Sequence, residues 1–151
     1  MSSSSSDLTT SVTGTVFVYG SRQGVSHAQI AATFNVDPND WAGVEFFFPQ
    51  GVTVTKVECS YPQETSSSYA TGSDHSSASV WWSPSVGSRV DIARSLTKVP
   101  SGGGSGTALI DVDIDEAVFD SHKAVFTVGV GEGEKGIYPD YVRFDVVFGD
   151  G

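Results

Sequence analysis

Apolar and polar residues alternate along most of this chain, in runs of strand length set off by clusters of Gly, Pro, Ser and Asp. In the run from Ala108 to Asp115, the residues Ala108, Ile110, Val112 and Ile114 hold one parity while Asp111, Asp113 and Asp115 hold the other. Successive side chains of a strand point to opposite faces, so this run buries one face and solvates the other. Val142, Phe144, Val146 and Phe148 alternate in the same way against Tyr141, Arg143 and Asp145. Ala124, Phe126, Val128 and Val130 do so against Val125, Thr127 and Gly129. In the N-terminal half, Ile30, Ala32, Phe34 and Val36 form one inward set, and Val44, Phe46 and Phe48 form another.

Four fainter runs, Val12 to Tyr19, Val52 to Cys59, Ser77 to Trp82 and Ser88 to Ile92, bring the expected total to about nine strands. Apolar parity slips between Val54 and Val57, which predicts a β-bulge. Only Glu116 to Ser121 reads as helix, and a turn or two cannot supply the crossovers that a parallel sheet needs. The pattern therefore predicts an all-β fold, a two-sheet antiparallel β-sandwich of immunoglobulin-like or jelly-roll-like type, with at most one short helical turn.

At 151 residues the chain has the size of one domain, long enough to bury a core without disulfides or metals. Met1 to Asp7 contains five consecutive serines and no apolar anchor, so residues 1–7 are expected to be a disordered leader or tether and residues 8–151 a single sandwich domain. The leader resembles the stretch that follows the lipid-bearing cysteine of a mature bacterial lipoprotein, which implies membrane attachment through an N-terminal lipid tether only. Eight Lys and Arg against eighteen Asp and Glu give a formal charge of −10, which repels phosphate backbones and anionic headgroups. Nucleic acid is accordingly not an expected partner. The single cysteine, Cys59, falls on the inward parity of Val57, where a thiol behaves as a small apolar side chain.

Three long connections separate the strands, Ser60 to Ser76, Arg94 to Gly106 and Gly131 to Asp140, and the Gly-rich stretch Ser101 to Gly106 is expected to be the most mobile after the leader. Gly131 to Gly136 spells G-x-G-x-x-G, but a strand follows it rather than a helix, and Glu132 and Glu134 would repel a phosphate. None of His27, His75 and His122 sits in a nucleophile frame, and no spacing suits a transition metal. No cofactor is called for. Calcium alone has candidates, Asp37 and Asp40 in the Asp37-Pro-Asn-Asp40 turn and Asp111 and Asp113 on one strand face, neither of which matches an EF-hand loop.

The aromatic residues carry more. Trp81 and Trp82 are adjacent, and the parity of Ala78 and Val80 assigns Trp82 to the core and Trp81 to the outside. Phe47 points away from the face of Val44, Phe46 and Phe48, and Phe17 and Tyr19 oppose Val16 and Val18. Trp81, Phe47 and Tyr19 are thus the candidate ligand-binding residues, because outward aromatics stack on sugar rings or anchor a protein partner. In strand number, size and acidic Ser/Thr/Gly-rich composition the chain resembles bacterial surface modules, carbohydrate-binding modules and cohesin-like domains among them. The resemblance implies a non-enzymatic binding or adhesion module, extracellular or at the cell surface, with a glycan or protein ligand. Two alternatives stand beside it: a structural or assembly subunit of an appendage or phage, and a carbohydrate-active hydrolase whose site carries no motif.

Overall fold

A computed structural model describes residues 1–6, 8–19, 26–41, 43–60, 68–71, 75–76, 80–83, 89–92, 103–121, 123–131 and 140–147. In chain order its elements are β1 (Ser2–Ser4), β2 (Ser11–Tyr19), β3 (Ser26–Val36), β4 (Val44–Phe47), β5 (Val52–Cys59) and β6 (Ser68–Thr71). They continue as β7 (His75–Ser76), β8 (Val80–Ser83), β9 (Arg89–Ile92), β10 (Gly104–Ile114), α1 (Glu116–Asp120), β11 (Lys123–Val130) and β12 (Asp140–Val147). Two six-stranded sheets result, sheet I in the order β1-β2-β3-β10-β5-β6 and sheet II in the order β12-β11-β4-β9-β8-β7. Every pairing is antiparallel. The nine strands read from the alternation correspond to β2–β5 and β8–β12, and the short strands β1, β6 and β7 are additions at the sheet edges.

The two sheets meet through their apolar parities. In sheet I, Ile110 pairs with Ile30 on one side and Val57 on the other, and all three are fully buried. Val112 repeats the arrangement between Ala28 and Val54, and Ala108 between Ala32 and Cys59. Sheet II answers with Val44, Phe46, Val90, Ile92, Phe126 and Val128, all buried. The aromatic rings stand edge to face: Phe126 meets Phe48 at 5.0 Å and Phe144 at 5.8 Å between ring centroids. The expected bulge lies in β5, where the register against β10 shifts between Asp111 and Val112 and the Thr55 hydroxyl donates to the Asp111 carbonyl at 3.2 Å. That extra residue returns Val57 and Cys59 to the inner face beside Val52 and Val54.

Three sequence expectations need correction. Ser2–Ser4 is an edge strand on Ser11–Thr13 rather than part of a structureless leader, and Ser3 is buried. Serine has no apolar anchor to offer, but the backbone ladder holds the segment and Met1, which packs on the core, anchors its start. Gly104–Gly106, expected in the most mobile loop, opens β10 and pairs with Phe34–Val36 of β3. The ladder there is fixed by backbone bonds that glycine makes as well as any residue; 101–102 lie outside the described residues. Val142 has the inward parity of β12 yet is 40% exposed, because β12 is the border strand of sheet II and is flanked by a neighbouring strand on one side only among the described residues. The side chains of Trp81 and Trp82, and hence their inside and outside assignments, lie outside the described residues.

Ile110 occupies the centre of the innermost strand. Ile110→Ala is expected to cost about 2–5 kcal/mol through lost burial and a residual cavity. A thermal melt should show a drop of roughly 5–20 °C with the cooperative transition retained.

Candidate binding faces

The outward parities of the two sheets build two unlike surfaces. On sheet I the register stacks side chains in rows across the strands: Tyr19 beside His27, Phe17 beside Gln29 and Asp111, Thr15 beside Ala31 and Leu109, and Thr13 beside Thr33 and Thr107. At one end the rings of Tyr19 and His27 stack, with centroids 4.9 Å apart and planes 24° apart. Phe17 and Tyr19 are each 46% exposed, so both rings present a free face. In the next row the Gln29 amide donates to Asp111 Oδ1 at 3.0 Å, which orients an amide and a carboxylate side by side on the surface.

Beyond these rows the face becomes a shallow trough of about 550 Å³ floored by Gly14, Ala31 and Ala32. Gly14 is required there, since a Cβ on it would lie 2.6 Å from the Ala31 carbonyl oxygen. The trough is rimmed by the hydroxyls of Thr13, Thr33 and Thr107, with Thr13 and Thr33 bonded at 3.2 Å, and Thr107 leads on to Ser60, 3.1 Å away in the adjoining hollow. Measured along the nine residues of β2, the strip from aromatic end to hydroxyl end is roughly 27–30 Å long.

The outer face of sheet II is closed around an ion cluster. Glu45 and Asp91 face each other across β4 and β9 and are only 2% and 4% exposed. Arg89 joins them, its Nε donating to Asp91 Oδ1 at 2.9 Å and a terminal nitrogen to Glu45 Oε1 at 3.3 Å. Partial burial disfavours the guanidinium charge, but the hydrogen bond and charge of Asp91, with Glu45 and Tyr141 behind them, outweigh it and hold the arginine above its ordinary pKa. Phe47 lies under the guanidinium at 5.0 Å, and Tyr141 reaches over from β12 to donate to Glu45 Oε2 at 3.4 Å. Gly129 makes that reach available, because a Cβ there would fall 2.6 Å from the tyrosine ring. Trp81 pairs with Asp91 in the backbone register, which extends the row Tyr141, Gly129, Glu45, Asp91 to β8.

The three aromatic candidates are therefore not brought together: Tyr19 belongs to sheet I, and Phe47 and Trp81 belong to sheet II. Phe47 is committed to Arg89 and to Tyr141, whose ring centroid is 6.0 Å away. Arg89, Glu45 and Asp91 escaped sequence reading because β4 and β9 are separated by a long stretch of chain; outward parity alone could have marked them. His27 and Gln29 likewise acquire meaning only from the β2–β3 register.

Three of the four calcium candidates, Asp37, Asp40 and Asp111, are engaged by the protein's own donors. Asp37 Oδ2 accepts from the Thr9 amide at 2.8 Å and the Thr9 hydroxyl at 3.1 Å, and Oδ1 accepts from the Asn39 amide at 2.8 Å. Asp40 Oδ1 accepts from the Gly43 amide at 2.8 Å, and its Oδ2 accepts from the buried Thr10 hydroxyl. The two carboxylates thereby sew the segment before β2 to the β3–β4 turn. Asp111 is engaged by Gln29, and Asp113 stands exposed opposite His27. Among the described residues no three His, Cys, Asp or Glu side chains converge as a metal-holding group.

Hydrogen bonds from the Thr9 and Asn39 amides hold the Asp37 carboxyl below its ordinary pKa of 3.8. Since the folded state binds this proton less readily than the unfolded chain, the stability Asp37 contributes is complete above 3.8 and is lost as pH falls through the lower folded value. Thermal melts across the acid range should therefore show a shallower acid limb in Asp37→Asn than in the parent. For the ion cluster, Arg89→Ala leaves Glu45 and Asp91 buried without their cation and is expected to cost about 2–4 kcal/mol by denaturant titration, the arginine's partial exposure reducing the effect. No protein-family model matches this chain, and no curated protein matches it.

Proposed function

We propose that this domain is a non-catalytic binding module that takes a neutral glycan along the outer face of sheet I, as part of an exported or cell-surface protein. The observation that carries the reading is the pair Phe17 and Tyr19, each nearly half exposed on one strand face, with His27 stacked behind Tyr19. Sugar rings present C–H faces that stack on such aromatics, and the Gln29–Asp111 pair beside them offers an oriented donor and acceptor for ring hydroxyls. The trough that follows, floored by small residues and rimmed by threonine hydroxyls, suits an extended chain of sugars. Asp111 and Asp113 on this face and the formal charge of −10 disfavour anionic glycans. Placement at the cell surface rests on the acidic, Ser/Thr/Gly-rich composition alone.

A glycan array followed by calorimetric titration of the strongest neutral hit tests the proposal. Tyr19→Ala and Phe17→Ala should each weaken binding about tenfold or more, with the melting temperature moving by only a few degrees. Phe47→Ala, on the opposite face, should leave the affinity unchanged. Failure of every neutral glycan to bind, or indifference of the hit to Tyr19→Ala, would remove the reading.

A further inference from the structure

Sheet I is closed only in part on its β1 side. β1 covers Ser11–Thr13 of β2, and Met1 continues the ladder by one residue: its amino group donates to the Gly14 carbonyl at 2.9 Å, and the Gly14 amide donates to the Met1 carbonyl at 3.0 Å. Those two bonds fix the phase of the edge. In an antiparallel ladder the backbone groups of alternate residues point to the same side. Gly14, Val16 and Val18 therefore direct N–H and C=O toward the open side, while Thr15, Phe17 and Tyr19 direct theirs to β3. Among the described residues no strand pairs with Thr15–Tyr19 on that side.

The flank beneath this edge carries apolar side chains beside one carboxylate. A groove of about 290 Å³ runs between β2 and β12, lined by Met1, Val16, Val18, Phe144 and Val146 together with Asp145. Edge strands are ordinarily guarded by charge or proline. β12 follows the rule, with Asp140, Arg143 and Asp145, whereas the nine residues of β2 include neither a charge nor a proline.

We propose that the Thr15–Tyr19 edge of β2 pairs antiparallel with the same edge of a second copy of this chain, about a twofold axis at Phe17, so that two copies of sheet I become one continuous sheet. The occupant is argued from self-complementarity. Thr-Val-Phe-Val-Tyr presents the same pattern in both directions, and pairing about its centre sets Val16 of each copy against Val18 of the other. Those are the residues whose backbone groups face outward, so the ladder gains about four hydrogen bonds with every donor meeting an acceptor. On the inner side the valines of both copies close the groove. On the outer side the two Phe17 rings meet in a non-hydrogen-bonded pair, where cross-strand side chains are closest. A formal charge of −10 on each copy opposes association everywhere except at a neutral edge, so added salt strengthens the dimer. A contact this short gives a weak one.

Sedimentation equilibrium from about 1 μM to 1 mM decides the matter by mass, without reference to any glycan. The expected result is a monomer–dimer equilibrium whose dimer fraction rises with salt. Val18→Pro removes an outward N–H that an edge strand can spare, and should keep the protein monomeric across the range with its circular dichroism and melting transition retained. Phe17→Lys, which opposes two like charges across the axis, should weaken the dimer at least tenfold and serves as the deciding variant if Val18→Pro does not fold. A parent protein that stays monomeric at the highest concentration, or a folded Val18→Pro or Phe17→Lys variant that dimerises as the parent does, overturns the proposal.

Discussion

The insertion of β10 between β3 and β5 is the constraint on which the rest of this molecule depends. Its eleven residues pair with β3 along their whole length and with β5 over Ala108–Ile114, so one strand carries the central ladders of sheet I. The inner parities of the three strands must agree row by row, or the buried set would be turned to solvent. The bulge at Thr55 exists to satisfy that demand, since without it Val57 and Cys59 would face outward against Ile110 and Ala108. The outer parity is determined by the same registration. Gln29 meets Asp111, and Thr33 meets Thr107, because Ile30 meets Ile110.

Much of this architecture was legible in the alternation itself. Period two over Ala108–Asp115 could only be a half-buried strand, and the parity slip in Val52–Cys59 located the bulge within a residue or two. What could not be read were pairings between distant segments and strands made without apolar residues. Ser2–Ser4 and Gly104–Gly106 are composed of residues with little strand preference, yet each sits at the end of a ladder already registered by its neighbours, where backbone bonds suffice. On the outer faces, parity correctly separated Tyr19 from Val18 and Phe47 from Phe46, but parity does not say which sheet a strand joins. For that reason Tyr19 and Phe47 could be grouped in one list although the sandwich holds them on opposite sides.

The two outer faces differ because polar residues are spent differently on them. On sheet II the charges are turned on one another, with Arg89 bridging Glu45 and Asp91 and Phe47 and Tyr141 packed against the cluster. That arrangement locks strands together, and its side chains are not available to a ligand without breaking contacts already made. On sheet I the polar groups are small, shallow and near the surface, and the aromatics beside them are uncovered. A rigid ladder beneath them fixes their spacing, which lowers the ordering cost of binding. Asp37 and Asp40 serve that rigidity from the side, by securing the approach to β2.

The central place of β10 in space contrasts with its place in time. During synthesis β3 and β5 leave the ribosome long before the strand that must lie between them, and neither can pair with the other in its stead without losing the register that buries Ile30 and Val57. Until residue 114 has emerged, the nascent chain holds the β2–β3 hairpin on one side and β5 on the other, each with a bare apolar flank. Such a chain is slow to commit to its native state, as expected where non-local strand pairing dominates.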